Sequence, residues 1–73
     1  MVEVFKTNIT CAEKAKYLVD QIHKRFSAYK ANFDLQDCDK ILRVVYGAAE
    51  KPSLSFIEWL DSLECSAEVL PDF

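Results

Sequence analysis

An α+β sandwich is the fold class this sequence predicts, and three observations predict it. Short segments rich in β-branched and aromatic residues alternate apolar with polar side chains, the period of a strand. Two other stretches repeat apolar residues at the three- and four-residue spacing of a helix. The two kinds follow one another as strand, helix, strand, strand, helix, strand within 73 residues. That length makes a single domain, residues 1–73, near the lower limit at which an unaided core folds.

The elements follow in order. Val2 to Thr7 carries Val2, Val4 and Phe5 among polar residues and reads as the first strand. Thr10 followed by Glu13 has the pattern of a capping box, in which each side chain satisfies a free backbone N–H of the other. Ala15, Leu18, Val19, Ile22 and Phe26 then line one face of a helix expected over residues 11–27, with Glu13, Lys16, Tyr17, Asp20 and Lys24 on the opposite face. Ala31, Phe33 and Leu35 alternate with Asn32 and Asp34 as a half-buried second strand. Gln36 to Asp39 is a polar turn, and Ile41 to Tyr46 is a β-branched third strand close enough to the second to form a hairpin.

After a loop from Gly47 to Pro52, a second helix begins at a cap supplied by Ser53 or Ser55, the latter forming a second potential capping box with Glu58. Phe56, Ile57, Leu60 and Leu63 give this helix its apolar face, with Trp59 flanking it; Trp59 either widens that stripe toward the core, the favoured reading, or lies off it as an exposed aromatic anchor for a partner. Ala67 to Leu70 is a short last strand, ended by Pro71; Phe73 closes the chain as an aromatic that folds back on the sheet edge or frays. Right-handed crossovers then favour a ferredoxin-like βαββαβ sandwich, two helices packed on one face of a four-stranded antiparallel sheet.

Composition excludes several classes of function. One Gly and two Pro in a chain that is 51% hydrophobic are not the composition of a linker or disordered segment. A net charge of −3 with scattered basic residues argues against nucleic acid, whose phosphates call for clustered Lys and Arg. Apolar runs are far shorter than the ~20 residues that span a bilayer, so no membrane association is expected. Neither a secretory leader nor a glycine-rich phosphate loop is visible. The only histidine, His23, reads as a surface residue in mid-helix; Tyr17, Tyr29 and Tyr46 read as packing or surface aromatics. The carboxylates Asp34, Asp37 and Asp39 cluster at a hairpin, where Asp is common for turn-forming reasons. No enzymatic constellation results, and the expectation is a protein that is not an enzyme.

The cysteines carry what chemistry remains. Three is an odd number, which leaves no closed disulfide set and fits reduced thiols in a cytoplasmic protein. Cys11 lies in the first turn of the first helix, where the helix dipole and neighbouring Lys14 favour a thiolate. In the expected topology Cys11, Cys38 and Cys65 fall in three connections that meet at one end of the sheet. The bland reading stands beside this one, since cysteine often acts as a small buried apolar residue. If Cys11 and Cys65 are close, as neighbouring first and fourth strands would place them, a disulfide between them is also expected, subject to a Cα separation below about 7 Å.

With these elements in place the chain resembles the heavy-metal-associated domain of copper chaperones and metal-transporting ATPases. The resemblance covers nearly the whole length. It rests on the element order, on Asn8-Ile9-Thr10-Cys11 at the metal-loop position, and on Phe33-Asp34-Leu35 before the hairpin. It implies that Ile9 anchors the loop in the core, that Cys11 is the first metal cysteine, and that a soft ion, Cu(I) or Zn(II), is the cargo. The chain departs from the family at Lys14, which stands where the second cysteine of the loop belongs. Cys65 lies about where eukaryotic copper chaperones place a charge-compensating lysine, so the two residue types are exchanged.

Three functional readings follow. A soft metal would be held by Cys11 and Cys65, with Cys38 and Lys14 as additional members, in linear two-thiolate or trigonal three-thiolate geometry. Alternatively, the domain has lost the metal and binds a protein partner at the loop end carrying Cys11, as a monomer or weak dimer. In the third reading Cys11 is a redox thiol with Cys65 as resolving partner.

Overall fold

The computed structural model describes residues 1–36 and 38–70. Its elements are β1 (Val2–Thr7), α1 (Ala12–Arg25), β2 (Lys30–Asp34), β3 (Ile41–Val45), α2 (Leu54–Ser62) and β4 (Ala67–Val69). The protein is therefore α+β, with two helices and one four-stranded sheet in the order β2-β3-β1-β4. Each neighbouring pair is antiparallel: β1 with β3, β1 with β4 and β2 with β3. Among the described residues no helix is long and apolar enough to cross a membrane.

Strand alternation explains which face is covered. Phe5, Ala31, Leu42 and Val44 project to one side and join Ala15, Leu18 and Ile22 of α1 and Phe56 and Leu60 of α2 in a single core cluster. Phe5, Leu18, Ile22, Leu42, Val44 and Leu60 are fully inaccessible to solvent. Burying an aliphatic side chain of this size contributes about 1.5–3 kcal/mol, so this set dominates the stability of so short a chain. Val2, Arg43 and Val45 belong to the other alternation and are exposed. One end of the core is aromatic: Phe26 packs edge-on against Phe56 and Trp59, each at 5.2 Å, and stacks on Tyr29 at 5.2 Å. Trp59 is thus half-buried in the core-facing stripe.

The helix termini differ from the sequence reading. α1 starts at Ala12 with Cys11 as its N-cap residue, in extended backbone and with no side-chain capping bond, so the Thr10–Glu13 box does not form. Thr10 stands one position too early for its hydroxyl to meet the free N–H groups of the first turn. α2 is preceded by Ser53, likewise without a side-chain cap; the Ser53 and Ser55 hydroxyls bond each other at 2.7 Å, which takes up the group that a box with Glu58 requires. Both helices rest on packing rather than on their caps. The expected turn residue Asp37 and the tail positions Pro71 and Phe73 lie outside the described residues.

Candidate functional site

The register brings three connections to one end of the sheet. Lys6 of β1 is opposite Ile41, the first residue of β3, which is opposite Asp34, the last residue of β2. On the other side Thr7 is opposite Ala67, the first residue of β4. The segment leading to α1, the β2–β3 turn and the α2–β4 turn therefore share this end, and each carries one cysteine.

Two polar residues that sequence reasoning passed over tie these connections together. Thr7 is buried; its amide donates to the carbonyls of Asp39 and Lys40, and its hydroxyl donates to Lys40 at 2.5 Å. The same hydroxyl accepts the Ile9 amide at 3.3 Å, which fixes the turn of chain into Cys11. Asn8 Oδ1 accepts the Ser66 amide at 3.0 Å and so links the Cys11 segment to the α2–β4 turn. Ile9 is buried among core residues, as a loop anchor should be. A threonine at a strand end and an asparagine in a loop are common, so neither marks itself in the sequence; the partners are about 33 and 58 residues away.

The three thiols occupy different environments. Cys11 and Cys38 are exposed, Cys65 is buried, and all three are free, so the Cys11–Cys65 disulfide expected from the sequence is not formed. Cys65 has no accessible surface at all. Desolvation pushes its thiol up from 9.0 to about 11, against the opposing pull of the Lys14 ammonium and with a smaller upward push from Asp61. A buried thiol in this state is protonated at neutral pH, and the protonated form is neither a nucleophile nor a metal ligand.

The position of Cys65 has a backbone explanation. α2 ends at Ser62 with Leu63 as its C-cap residue, and Glu64 then adopts the left-handed conformation with φ 62°. The Glu64 amide donates to the Asp61 carbonyl and the Cys65 amide to the Leu60 carbonyl, each at 3.0 Å. These two bonds are a Schellman motif, which satisfies carbonyls that the helix end leaves free. Its usual companion is an apolar contact between the residue after the left-handed one and the last turn. Cys65 fills that place, and both it and Leu60 are fully buried. Its thiol therefore serves as a small apolar side chain.

Lys14 is partly buried, and its Nζ lies 3.9 Å from Glu64 Oε2 at the surface. The charge of Lys14 thus acts across the gap between α1 and the α2–β4 turn. Cys38 is exposed in the β2–β3 turn. Among the described residues no group of three or more His, Cys, Asp or Glu side chains converges on a common point, so a trigonal three-thiolate arrangement is not assembled. His23 is exposed as expected, but it has a structural role: its Nε2 accepts the Ala31 amide at 3.0 Å.

Compared with family models, with curated proteins and with solved structures, the chain matches none.

Proposed function

We propose that this chain is a non-catalytic binding domain on a ferredoxin-like βαββαβ frame, similar in architecture to heavy-metal-associated domains, that engages a protein partner at the end carrying Cys11 instead of carrying a soft metal there. The element order, together with a sheet read as β4-β1-β3-β2, supports the frame. The observation that carries the functional reading is the burial of Cys65. Its thiol is closed off inside the helix terminus and held protonated, while Cys11 faces solvent. Of the Cys11 and Cys65 pair only Cys11 is accessible, so the pair offers a single soft ligand, and a Cu(I) carrier needs two. What stays on the surface is a segment held stiff by Thr7 and Asn8, which is the preorganisation that limits the ordering cost of docking a partner.

The metal reading keeps one observation in its favour: the Lys14 ammonium does act on Cys65, as the exchange of lysine and cysteine between the two positions requires. An anaerobic Cu(I) titration of the reduced protein against a competing chelator separates the readings, run beside Cys11→Ser and Cys65→Ala. The expected outcome is that the chelator retains the copper and the three proteins behave alike. Tight one-to-one binding that is lost in both variants would instead assign a two-thiolate site and a carrier role.

A further inference from the structure

The sheet has two edges, β4 and β2. The β4 edge is three residues long, whereas β2 offers five. The Ala31 amide donates to His23 Nε2 and therefore points away from β3. In an antiparallel ladder the direction alternates by residue. Lys30, Asn32 and Asp34 thus bond β3, and the amides and carbonyls of Ala31 and Phe33 face outward. Beside this edge runs an open groove of about 290 Å³ between α1 and β2, walled by Ala15 and Val19 and floored by Ala31, Phe33 and Leu35.

The strand at this edge, Lys30-Ala31-Asn32-Phe33-Asp34, is complementary to itself when reversed. We infer that a second copy of this chain docks here, β2 against β2 in antiparallel register about a twofold axis through Asn32, to make a continuous eight-stranded sheet. In that register Lys30 of one copy faces Asp34 of the other, twice, and Ala31 faces Phe33, twice. The parity agrees. Ala31 and Phe33 are the outward-bonding residues and meet as hydrogen-bonded pairs, each amide donating to the opposite carbonyl for four bonds in all. Lys30, Asn32 and Asp34 meet as the closer, non-hydrogen-bonded pairs, which brings the opposite charges together on the helix-free face. On the helix face the large Phe33 of one copy lies against the small Ala31 of the other, in the groove. Lys30 forms no ion pair within the described residues, so its charge is available across the axis.

His23 is the guard of this edge. Its acceptor nitrogen occupies the Ala31 amide that the second copy needs, so pairing exchanges that bond for one to the Phe33 carbonyl of the other copy. Covering an edge in this way is a recognised means of limiting strand-to-strand association, and it makes the dimer weak and adjustable. This inference concerns a surface separate from the Cys11 end and stands whatever the metal titration returns.

Sedimentation equilibrium of the full chain, across concentrations reaching the order of millimolar, tests it. The wild-type chain is expected to dimerise reversibly, and His23→Ala to dimerise more tightly. Lys30→Asp and Asp34→Lys each place like charges opposite one another and are expected to weaken the homodimer at least about tenfold. Mixed in equal amounts, these two variants have opposite charges at both contacts and are expected to form a one-to-one heterodimer. Asn32→Cys, made with Cys11→Ser and Cys38→Ser, places two thiols across the axis at a separation that suits a disulfide, and mild oxidation is expected to cross-link it. A wild-type chain that stays monomeric throughout would overturn the proposal. So would a dimer indifferent to both charge reversals, or one that the Asn32→Cys pair fails to cross-link.

Discussion

The start of α1 and the end of α2 lie at the same end of the molecule, and each carries a cysteine. Cys11 caps α1 with no side-chain bond and stays open to solvent. Cys65 follows α2 inside a Schellman motif and is sealed in the core. The contrast teaches that availability of a thiol is set by how the neighbouring helix terminus is closed and not by the loop in which the cysteine falls. An open terminus presents its residue; a terminus closed by two backbone bonds and an apolar contact consumes it.

Removing the apolar support of the closed terminus should produce the largest effect. Leu60 both accepts the Cys65 amide and packs in the core, so Leu60→Ala is expected to cost about 3 kcal/mol in urea unfolding. It is also expected to speed labelling of Cys65 by a thiol reagent while leaving the labelling rate of Cys11 unchanged. Equal protection of both thiols in the wild-type chain would erase the contrast.

A smaller effect, worth less than about 2.7 kcal/mol, should appear in alkali. The folded state holds the Cys65 proton up to about 11, whereas an exposed thiol releases it near 9.0. Because the folded value is raised, the stabilisation is fully present below the lower value and is lost as pH rises through the higher one. Thermal unfolding followed between these limits should show this loss in the wild-type chain and show less of it in Cys65→Ala. Tyr29, whose hydroxyl is also raised by burial and by Glu50, adds to the alkaline loss in both proteins.

The smallest effects are gains, one at each terminus. Glu64 holds a left-handed conformation that suits glycine, and Glu64→Gly is expected to stabilise the chain by about 1 kcal/mol. The ion pair with Lys14 that this change removes is exposed on the Glu64 side and is worth little. Cys11→Ser supplies the capping hydroxyl that α1 lacks and should add about 0.5 kcal/mol. A loss of stability in either variant would show that its terminus is held by something other than the bonds described.

The elements were legible because their signals are local. Val2–Thr7 was read to the residue, and the third strand and both helices within a few residues, since alternation and helical spacing repeat over neighbouring positions. The end of α2 was not legible. A Schellman closure usually announces itself through glycine, and here Glu64 occupies the left-handed position, so Cys65 looked like a loop residue with chemistry to offer. The caps failed for a related reason. Thr10-Cys-Ala-Glu13 satisfies the pattern, but the helix begins one residue later than the pattern assumes.

By itself, then, the sequence determined the α+β class, the number and kind of elements, and the side chains that alternate into the core. Those properties depend on backbone preference and on burial, which act over a few residues. Tertiary structure alone decided that Cys65 is buried and Cys11 exposed, since that depends on the closure of α2 on Leu60 and on the distant partners of Thr7 and Asn8. It also decided the meaning of Lys30-Ala-Asn-Phe-Asp34. Its charge symmetry is present in any extended chain, but the strand order leaves β2 at an edge and a histidine from α1 on its outward amide. Which backbone groups remain for a partner is a property of the assembled sheet, because the interior strands spend both sides on their neighbours and an edge strand spends one.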